Sequence, residues 1–405
     1  MAEKKYSKII SGIREYTSLL EAFKAGMTPD EVKNDVIHAF SPYFENQEIL
    51  EDQAIKTLIP EMIEFSMILK DGFALKLFEF ALKAHHGAKR QNRESCFVSY
   101  LDWIIPKREA LSKYWSQVHL EIDKTDLGLE EFAHECLRNI GGVIEGSIKP
   151  YSNELLQQIR IFQGTPMTFS EIDRMDLGVV FDELIKFSYP SNFFVVENIR
   201  LNQWRNIAQH VSVIFKDEQI VCTYGRPENR KQIALNRKTL YAVTQKVFMT
   251  LRCLKLASTI FGLDNASEMH SMGLTLSEQI EIRPEAEILN LVAAIASQGF
   301  EVIDLQFDRN NAKLVIQDVT KLEPNVRRIH ASQFVEVLWM HTSSASVSVD
   351  YLELGGIPSL RVVASAELLE RAHKDSEPLK ILAAEIEMID LKSNTSIPKL
   401  KRNEY

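Results

Sequence analysis

The spacing of apolar residues changes between positions 201 and 224, and this change determines much of the predicted fold. Trp204 and Ile207 follow the spacing of one helix face, which predicts a helix that ends near His210. Val211, Val213 and Phe215 then recur at every second position, which is the period of a β-strand. A second apolar run follows after a polar turn. The sequence therefore predicts a helix that leads directly into a small β-hairpin.

The chain before this segment has the pattern of packed helices. Residues 1 to about 120 are predicted to be all-helical, and Thr28 begins one helix as the cap of a Thr-Pro-Asp-Glu start. Residues 127–162 predict a helix hairpin or one interrupted helix, with Gly141-Gly142 as its weak point and Pro150 as a helix start. Residues 170–187 predict one further helix.

The chain after the hairpin changes character. A basic loop at 225–231 and a long helix at 239–261 are predicted to close the central region. Further on, strand pairs are predicted at 302–307 with 313–319 and at 346–354 with 360–364. Helices are predicted at 334–341 and at 366–374, and a last strand is predicted at 381–391. The predicted fold class is mainly α, with a helical N-terminal region (1–125), a central helical bundle with a small β-hairpin (126–263) and a C-terminal α+β domain (275–405).

Composition excludes several classes of protein. The 405 residues are 45% hydrophobic and 25% charged, as in globular proteins, and no apolar run approaches the roughly 20 residues of a membrane span. The start of the chain lacks the apolar segment of a secretory signal, so a cytoplasmic location is expected. The four cysteines are far apart, which predicts buried thiols rather than disulfides or a zinc site. Gly-rich phosphate-binding motifs are absent, so the sequence does not indicate a nucleoside triphosphatase.

Charge is distributed unevenly along the chain. The protein has a net charge of −9, yet residues 196–262 contain eleven basic and only four acidic residues. Such a basic segment is a possible polyanion-binding surface, because phosphate neutralisation supplies most of the non-specific affinity for nucleic acids. A solvated, salt-bridged helical face explains the same pattern equally well.

The predicted helix at 201–210 also contains side chains suited to phosphodiester chemistry. Arg205 and His210 are five residues apart, which places them roughly 140° from each other on a regular helix. Asn206 shares a face with His210. Two arrangements bring the arginine and the histidine to one phosphate: the helix ends near His210 and releases the imidazole, or a second copy of the helix supplies the partner across a two-fold axis.

This segment resembles the motif of the HEPN superfamily of helical nucleases. The residues that carry the resemblance are Arg205-Asn206-Ile207-Ala208-Gln209-His210 and the lead-in Asn202-Gln203-Trp204. The order of elements over roughly residues 127–263 also resembles that superfamily, so the central region is expected to be a HEPN-like bundle. One departure is Ser212, which stands where some toxins of the family carry a tyrosine that an antitoxin modifies.

The resemblance implies a metal-independent endoribonuclease, of the toxin or phage-defence type, in which two motifs of a homodimer face each other. Arg205 would stabilise the phosphate, His210 would transfer protons, and Asn206 would orient His210. No cofactor and no metal are expected. RNA, a second copy of the chain and an antitoxin or sensor protein are the expected partners, without a membrane. The residues expected to contact RNA are Arg200, Arg226, Arg230, Lys231, Arg237 and Lys238.

Other interpretations stay open at this point. The central region can be a non-catalytic HEPN-fold module that binds RNA or nucleotides and dimerises within a regulator. The chain can also be a scaffold whose C-terminal domain binds a ligand or a protein. Arg205 and His210 can be a structural pair. The adjacent His85 and His86 suggest a metal site only weakly, because no carboxylate or cysteine lies at ligand spacing, and a loop or an accessory phosphate contact is expected there.

Overall fold

The structure is a computed structural model, and it describes residues 4–5, 16–118, 127–210, 212–274, 284–375 and 378–397. The chain divides into two compact units. The described residues of the first unit lie within 1–40, 51–63 and 283–405, and those of the second unit lie within 41–50 and 64–282. The second unit therefore combines helices that the sequence analysis assigned to both sides of residue 125. The three-domain division itself stays a prediction.

The N-terminal part of the described chain is helical apart from a two-residue strand, β1 (Lys4–Lys5). Its helices are α1 (Thr17–Ala25), α2 (Pro29–Phe40), α3 (Gln47–Lys56), α4 (Leu58–Leu69), α5 (Gly72–Gln91), α6 (Arg93–Asp102) and α7 (Ile104–Val118), with a short 3₁₀ helix at Ser41–Tyr43. The predicted start of α2 is confirmed, because the Glu31 amide donates to Thr28 Oγ1 and the Thr28 amide donates to Glu31 Oε2. The loop expected around His85 is wrong, since α5 continues to Gln91. The helical pattern predicted at residues 6–15 lies outside the described residues.

The central part of the chain contains the predicted elements with different boundaries. They are α8 (Leu129–Val143), a π-helical segment (Ile144–Ile148), α9 (Lys149–Phe162), α10 (Phe169–Asp173), α11 (Leu177–Ser188), β2 (Val195–Val196), β3 (Ile199–Arg200), α12 (Leu201–His210), β4 (Val213–Lys216), β5 (Gln219–Tyr224), a 3₁₀ helix (Pro227–Asn229), β6 (Lys231–Leu235) and α13 (Arg237–Ser271). The hairpin is therefore part of a three-stranded antiparallel sheet, because β6 pairs with β5. The single helix predicted at 170–187 is wrong: Thr168 caps the short α10, and α11 begins separately.

Of the two alternatives predicted for residues 127–162, the interrupted helix is confirmed, but the weak point predicted at Gly141-Gly142 is wrong. One continuous helical path runs from α8 to α9, and its irregularity is the π-helical segment at 144–148, where the Lys149 amide donates to the Ile144 carbonyl five residues earlier. Pro150 follows immediately. Because proline has no N–H to donate and its ring crowds the preceding turn, a wider turn before it relieves the conflict without ending the helix.

The second unit is built around α5, α9 and α13. Helix α5 contacts both α9 and α13, and α8 contacts α12 and α13. Lys107 and Glu154 are buried in this bundle: Lys107 Nζ lies 2.6 Å from Glu154 Oε1 and donates to Ser258 Oγ at 2.8 Å. The Ser258 hydroxyl in turn donates to Glu154 Oε2 at 2.9 Å. The buried charges are thus paired and hydrogen-bonded, as burial in a low-dielectric interior requires.

The first unit contains a seven-stranded mixed sheet. Its remaining elements are α14 (Pro284–Ala296), β7 (Phe300–Phe307), β8 (Asn311–Asp318), α15 (Pro324–Ser332), α16 (Phe334–Thr342), β9 (Ser346–Glu353), β10 (Ile357–Ser365), α17 (Ala366–His373), α18 (Pro378–Glu385), β11 (Glu387–Asp390) and β12 (Thr395–Ser396). The strand order is β1-β7-β8-β9-β10-β11-β12, and β8–β9 is the parallel pair. The predicted strand pairs β7–β8 and β9–β10 are confirmed. The last predicted strand is wrong in its first half, which is the helix α18.

The core of the first unit lies between this sheet and its helices, and it contains one buried arginine. Leu314 and Ile316 of β8 and Phe334 of α16 belong to this core. Arg327 is fully buried, with Nε 3.0 Å from Asp318 Oδ2 and its guanidinium 3.6 Å from the centroid of the Phe300 ring. The predicted fold class, mainly α with an α+β C-terminal region, is confirmed.

Candidate functional site: the α12 helix and its surroundings

Helix α12 is fixed in the second unit by one apolar face. Leu201, Trp204 and Ile207 are buried, and the Trp204 indole N–H donates to the Val196 carbonyl at 3.0 Å. Val196 belongs to the β2–β3 hairpin, whose two turn residues both have positive φ angles, 50° and 58°. A tight two-residue hairpin of this kind needs such angles. The polar side of α12 is consequently held in a defined orientation.

The helix ends where the sequence predicts. Its last residue is His210, and the Ser212 amide donates to the Ile207 carbonyl at 3.3 Å. The Thr223 amide then donates to the Ser212 carbonyl at 2.8 Å, so the chain is already paired with β5. His210 is exposed in the last turn, and within the described residues its imidazole has no hydrogen bond or ion pair. The imidazole is therefore accessible to a substrate.

Arg205 is held by three side chains. Its Nε lies 3.0 Å from Glu145 Oε2, and its Nη1 donates to Asn206 Oδ1 and to Gln209 Oε1, each at 3.1 Å. The side chain of Arg205 is 26% exposed and that of Glu145 is 37% exposed. Asn206 was expected to orient His210, but its amide oxygen accepts from Arg205 instead. The guanidinium is thus positioned at the surface rather than sealed in the core.

Glu145 is a site residue that the sequence analysis missed. It lies in the π-helical segment, and Lys149 Nζ is 3.4 Å from its Oε1. Helices α8 and α12 approach closely, because a methyl group at Gly141 would lie 2.9 Å from Ala208 Cβ. This close approach brings Glu145 to Arg205. The only hint in the sequence was a predicted irregularity between Gly141 and Pro150, which gives no indication of a partner sixty residues later.

The predicted RNA-contacting residues fall into two groups. Arg226, Arg230, Lys231 and Lys238 are exposed, and within the described residues none of them has an ion pair. Three of these four lie in the turn between β5 and β6 or directly after it. The Gly225 amide of this turn donates to Gln203 Oε1 at 3.1 Å, which fastens the turn to α12. The basic turn and the α12 motif are therefore neighbours.

Two predicted RNA contacts are already engaged within the protein. Arg200 pairs with Asp182 on α11. Arg237 donates to the Leu127 carbonyl at 2.6 Å, and its guanidinium lies 4.5 Å from the centroid of the Phe132 ring. An arginine that is hydrogen-bonded and stacked in this way joins the start of α13 to α8. Its local role is structural.

Two further expectations from the sequence concern the cysteines and a membrane-spanning helix. Cys96, Cys136, Cys222 and Cys253 are free and buried, as predicted. Burial raises the pKa of Cys222 to about 11, so its thiol is not a reactive nucleophile at neutral pH. None of the helices in the described residues combines the length and the apolar character that crossing a bilayer demands.

Comparison of the chain with protein-family models, with curated proteins and with solved structures gives no significant match. The interpretation of the site therefore depends on its chemistry. An exposed imidazole can transfer protons, and a guanidinium beside a basic turn can bind a phosphate. Helix α12 therefore presents a carboxylate-paired arginine and an accessible histidine, and both groups suit the chemistry of a phosphate.

Proposed function

We propose that this protein is a metal-independent endoribonuclease with the HEPN type of active site, acting as a toxin or phage-defence effector. The observation that carries the proposal is that neither motif side chain is sealed in the core: His210 is exposed, and the Arg205 side chain on the same helix is 26% exposed. The basic turn that Gln203 fastens to α12 supports a polyanionic substrate. The toxin or defence role depends on the family resemblance alone.

The proposed reaction is an internal transesterification of RNA. The ribose 2′-oxygen attacks the neighbouring phosphorus while its proton passes to the imidazole of a His210, and the bond from phosphorus to the 5′-oxygen breaks. The leaving oxygen takes up a proton, which gives a 2′,3′-cyclic phosphate and a 5′-hydroxyl end. The guanidinium of an Arg205 stabilises the additional negative charge on the phosphate. DNA is not cleaved because it lacks the 2′-hydroxyl.

A homodimer is part of the proposal. Arg205 and His210 are five residues apart on one helix, and Asn206 and Gln209 turn the guanidinium toward Glu145. Within the described residues, Arg205 and His210 do not contact each other. A second copy of α12 would let the histidine of one subunit act with the arginine of the other.

The first experiment measures cleavage of a single-stranded RNA by the purified chain in the presence of EDTA. We expect cleavage in wild type, and a loss of about 100-fold or more in Arg205→Ala and in His210→Ala, the range that general acid–base groups contribute. Arg138→Ala and His270→Ala are matched controls, because these exposed residues lie on α8 and α13 and belong to neither the motif nor the basic turn. Cleavage that persists in both motif variants would contradict the proposal.

A second candidate is a non-catalytic RNA-binding and dimerising module. The pairing of Arg205 with Glu145 favours it, because the carboxylate occupies part of the guanidinium that a phosphate would need. The same preparations distinguish the two functions. A non-catalytic module would bind the RNA in EDTA in a salt-dependent manner and leave it intact, and growth of cells expressing the protein would not depend on His210.

A further inference from the structure

A cluster of metal-ligand side chains lies in the second unit, apart from α12. Glu45 follows the short 3₁₀ helix, His86 is on α5 and Asp264 is on α13. Their ligand atoms all lie within 4.8 Å of one another. These residues come from three segments that are far apart in the sequence, and the proposed ribonuclease uses none of them.

The Asp264 carboxylate is oriented by the backbone around Glu45. Its Oδ2 accepts from the Glu45 amide at 3.1 Å, and its Oδ1 accepts from the Asn46 amide at 2.7 Å. Each carboxylate oxygen has a second lone pair, so both hydrogen bonds can persist while the group binds a cation. Hydrogen bonds of this kind hold a ligand in place and raise its suitability for a metal.

His86 offers a buried nitrogen at a suitable distance. Its Nδ1 has no hydrogen bond within the described part of the chain, and it lies 3.5 Å from Glu45 Oε1. Two ligands with bonds of about 2.0–2.1 Å in a tetrahedral site are separated by about 3.4 Å. Burial lowers the pKa of the His86 imidazole, which favours the neutral form that binds metals.

Lys89 is the competing cation in this cluster. Its Nζ lies 3.5 Å from Glu45 Oε2 and 3.0 Å from Glu268 Oε2, and it also donates to Asn265 Oδ1. Glu268 is paired with Arg93 as well, at 2.8 Å. Lys89 therefore keeps two polar partners when Glu45 turns to a metal ion, although its positive charge weakens the binding.

We propose that Glu45, His86 and Asp264 bind one divalent first-row transition cation of the Zn²⁺ or Co²⁺ type. One imidazole and two carboxylates suit these ions, whereas Ca²⁺ and Mg²⁺ prefer oxygen ligands throughout. Three protein ligands leave the remaining coordination positions to water. The ion would join the segment at Glu45 to α5 and α13, and would stabilise the second unit by binding only to its folded form.

The experiment titrates the full-length chain, stripped with EDTA and then freed of it, with Co²⁺ and with Zn²⁺. We expect one ion per chain, visible d–d absorption from Co²⁺, and displacement of Co²⁺ by Zn²⁺. A free Zn²⁺ concentration roughly 100-fold above Kd should raise Tm by about 5–10 °C. Glu45→Gln and His86→Ala should each weaken binding about tenfold or more, and Lys89→Met should strengthen it several-fold because the competing charge is gone.

The controls separate this site from other surface histidines and from the ribonuclease. His270→Ala changes an exposed histidine on the same helix as Asp264 and should leave the affinity unchanged. Glu45 is exposed, so Glu45→Gln is expected to fold, and its circular dichroism in EDTA checks this. Equal affinity in wild type, Glu45→Gln and His86→Ala, or no Co²⁺ binding by the folded wild type, would overturn the proposal. RNA cleavage is measured in EDTA, so each proposal can fail without the other.

Discussion

The partners of the Arg205 guanidinium determine what this group can do. Glu145 faces its Nε, and Asn206 and Gln209 share its Nη1. Within the described residues Nη2 donates no hydrogen bond, and it is the nitrogen left to bind a phosphate. We therefore expect Glu145 to be a positioning residue, which acts on the substrate through Arg205.

Replacement of Glu145 with glutamine tests this role, because it retains the shape of the side chain and removes its charge. We expect kcat for RNA cleavage to fall about fivefold, which corresponds to the roughly 1 kcal/mol of a partly exposed ion pair. KM should stay equal or fall, since a negative charge near the phosphate is removed. The matched control is Glu135→Gln on α8, whose carboxylate pairs with Arg138. A parallel change in both variants would show that Glu145 has no special role.

Individual residues were predictable where their type alone decides their environment. The four cysteines were predicted to be buried thiols because nothing near them in sequence suggested a ligand set, and all four are buried. The predicted RNA contact at Arg237 illustrates the opposite case. Its charge is visible in the sequence. Its contacts with Leu127 and Phe132, however, bring together residues that are more than one hundred positions apart.

At the level of elements, two helices continue through positions where the sequence predicted a weak point or an end. Gly141 was expected to weaken a helix because glycine is a poor helix former, and the helix predicted at 239–261 was expected to stop just before Gly262. Both glycines lie inside helices at close contacts: a methyl group at Gly262 would lie 1.9 Å from the Tyr100 hydroxyl oxygen. Packing between helices selects glycine at these positions. The spacing of residues in the sequence does not reveal such packing contacts. The start of α2 and the end of α12, in contrast, depend on neighbouring residues and were predicted.

The packing of α8 on α12 can be tested with two glycine-to-alanine substitutions in one helical path. Gly141→Ala places a methyl group 2.9 Å from Ala208 Cβ, whereas Gly146→Ala meets only the flexible side chain of Lys113, at 3.3 Å. Both changes favour helix formation similarly. We expect Gly141→Ala to be less stable than Gly146→Ala by about 1–3 kcal/mol in urea denaturation, because overpacking forces the helices apart. Equal stability would mean that the two helices separate easily.

At the scale of the whole molecule, the sequence indicated a helical majority and a strand-rich C-terminal part, and both are present. It did not indicate that residues 41–50 and 64–118 pack with the central helices. Contacts such as that between Lys107 and Glu154 form across 47 residues inside the bundle, and their charges alone gave no sign of pairing. The sequence identifies elements by local periodicity, but it does not state which helices share a core.

A mixture of two inactive variants tests whether the active site is shared between subunits. If His210 of one chain acts with Arg205 of another, a dimer of Arg205→Ala with His210→Ala contains one complete pair. We expect RNA cleavage to recover to about one quarter of wild type after the two variants are denatured, mixed in equal amounts and refolded together, since half of the dimers are mixed and each has one of two sites. Each variant refolded alone is the control. A mixture as inactive as its components would place both groups of a working site in one chain.

The π-helical segment holds one residue more than a regular α-helix needs for the same rotation, because its turn is wider. The flanking faces of α8 and α9 therefore keep nearly the register of an unbroken helix, with Glu145 facing Arg205 and Glu154 facing Lys107. Inserting a further residue within 144–148, in contrast, would rotate the following buried side chains by about 100° relative to those before them. A protein with this architecture should therefore tolerate the loss of one residue from this segment better than the gain of one.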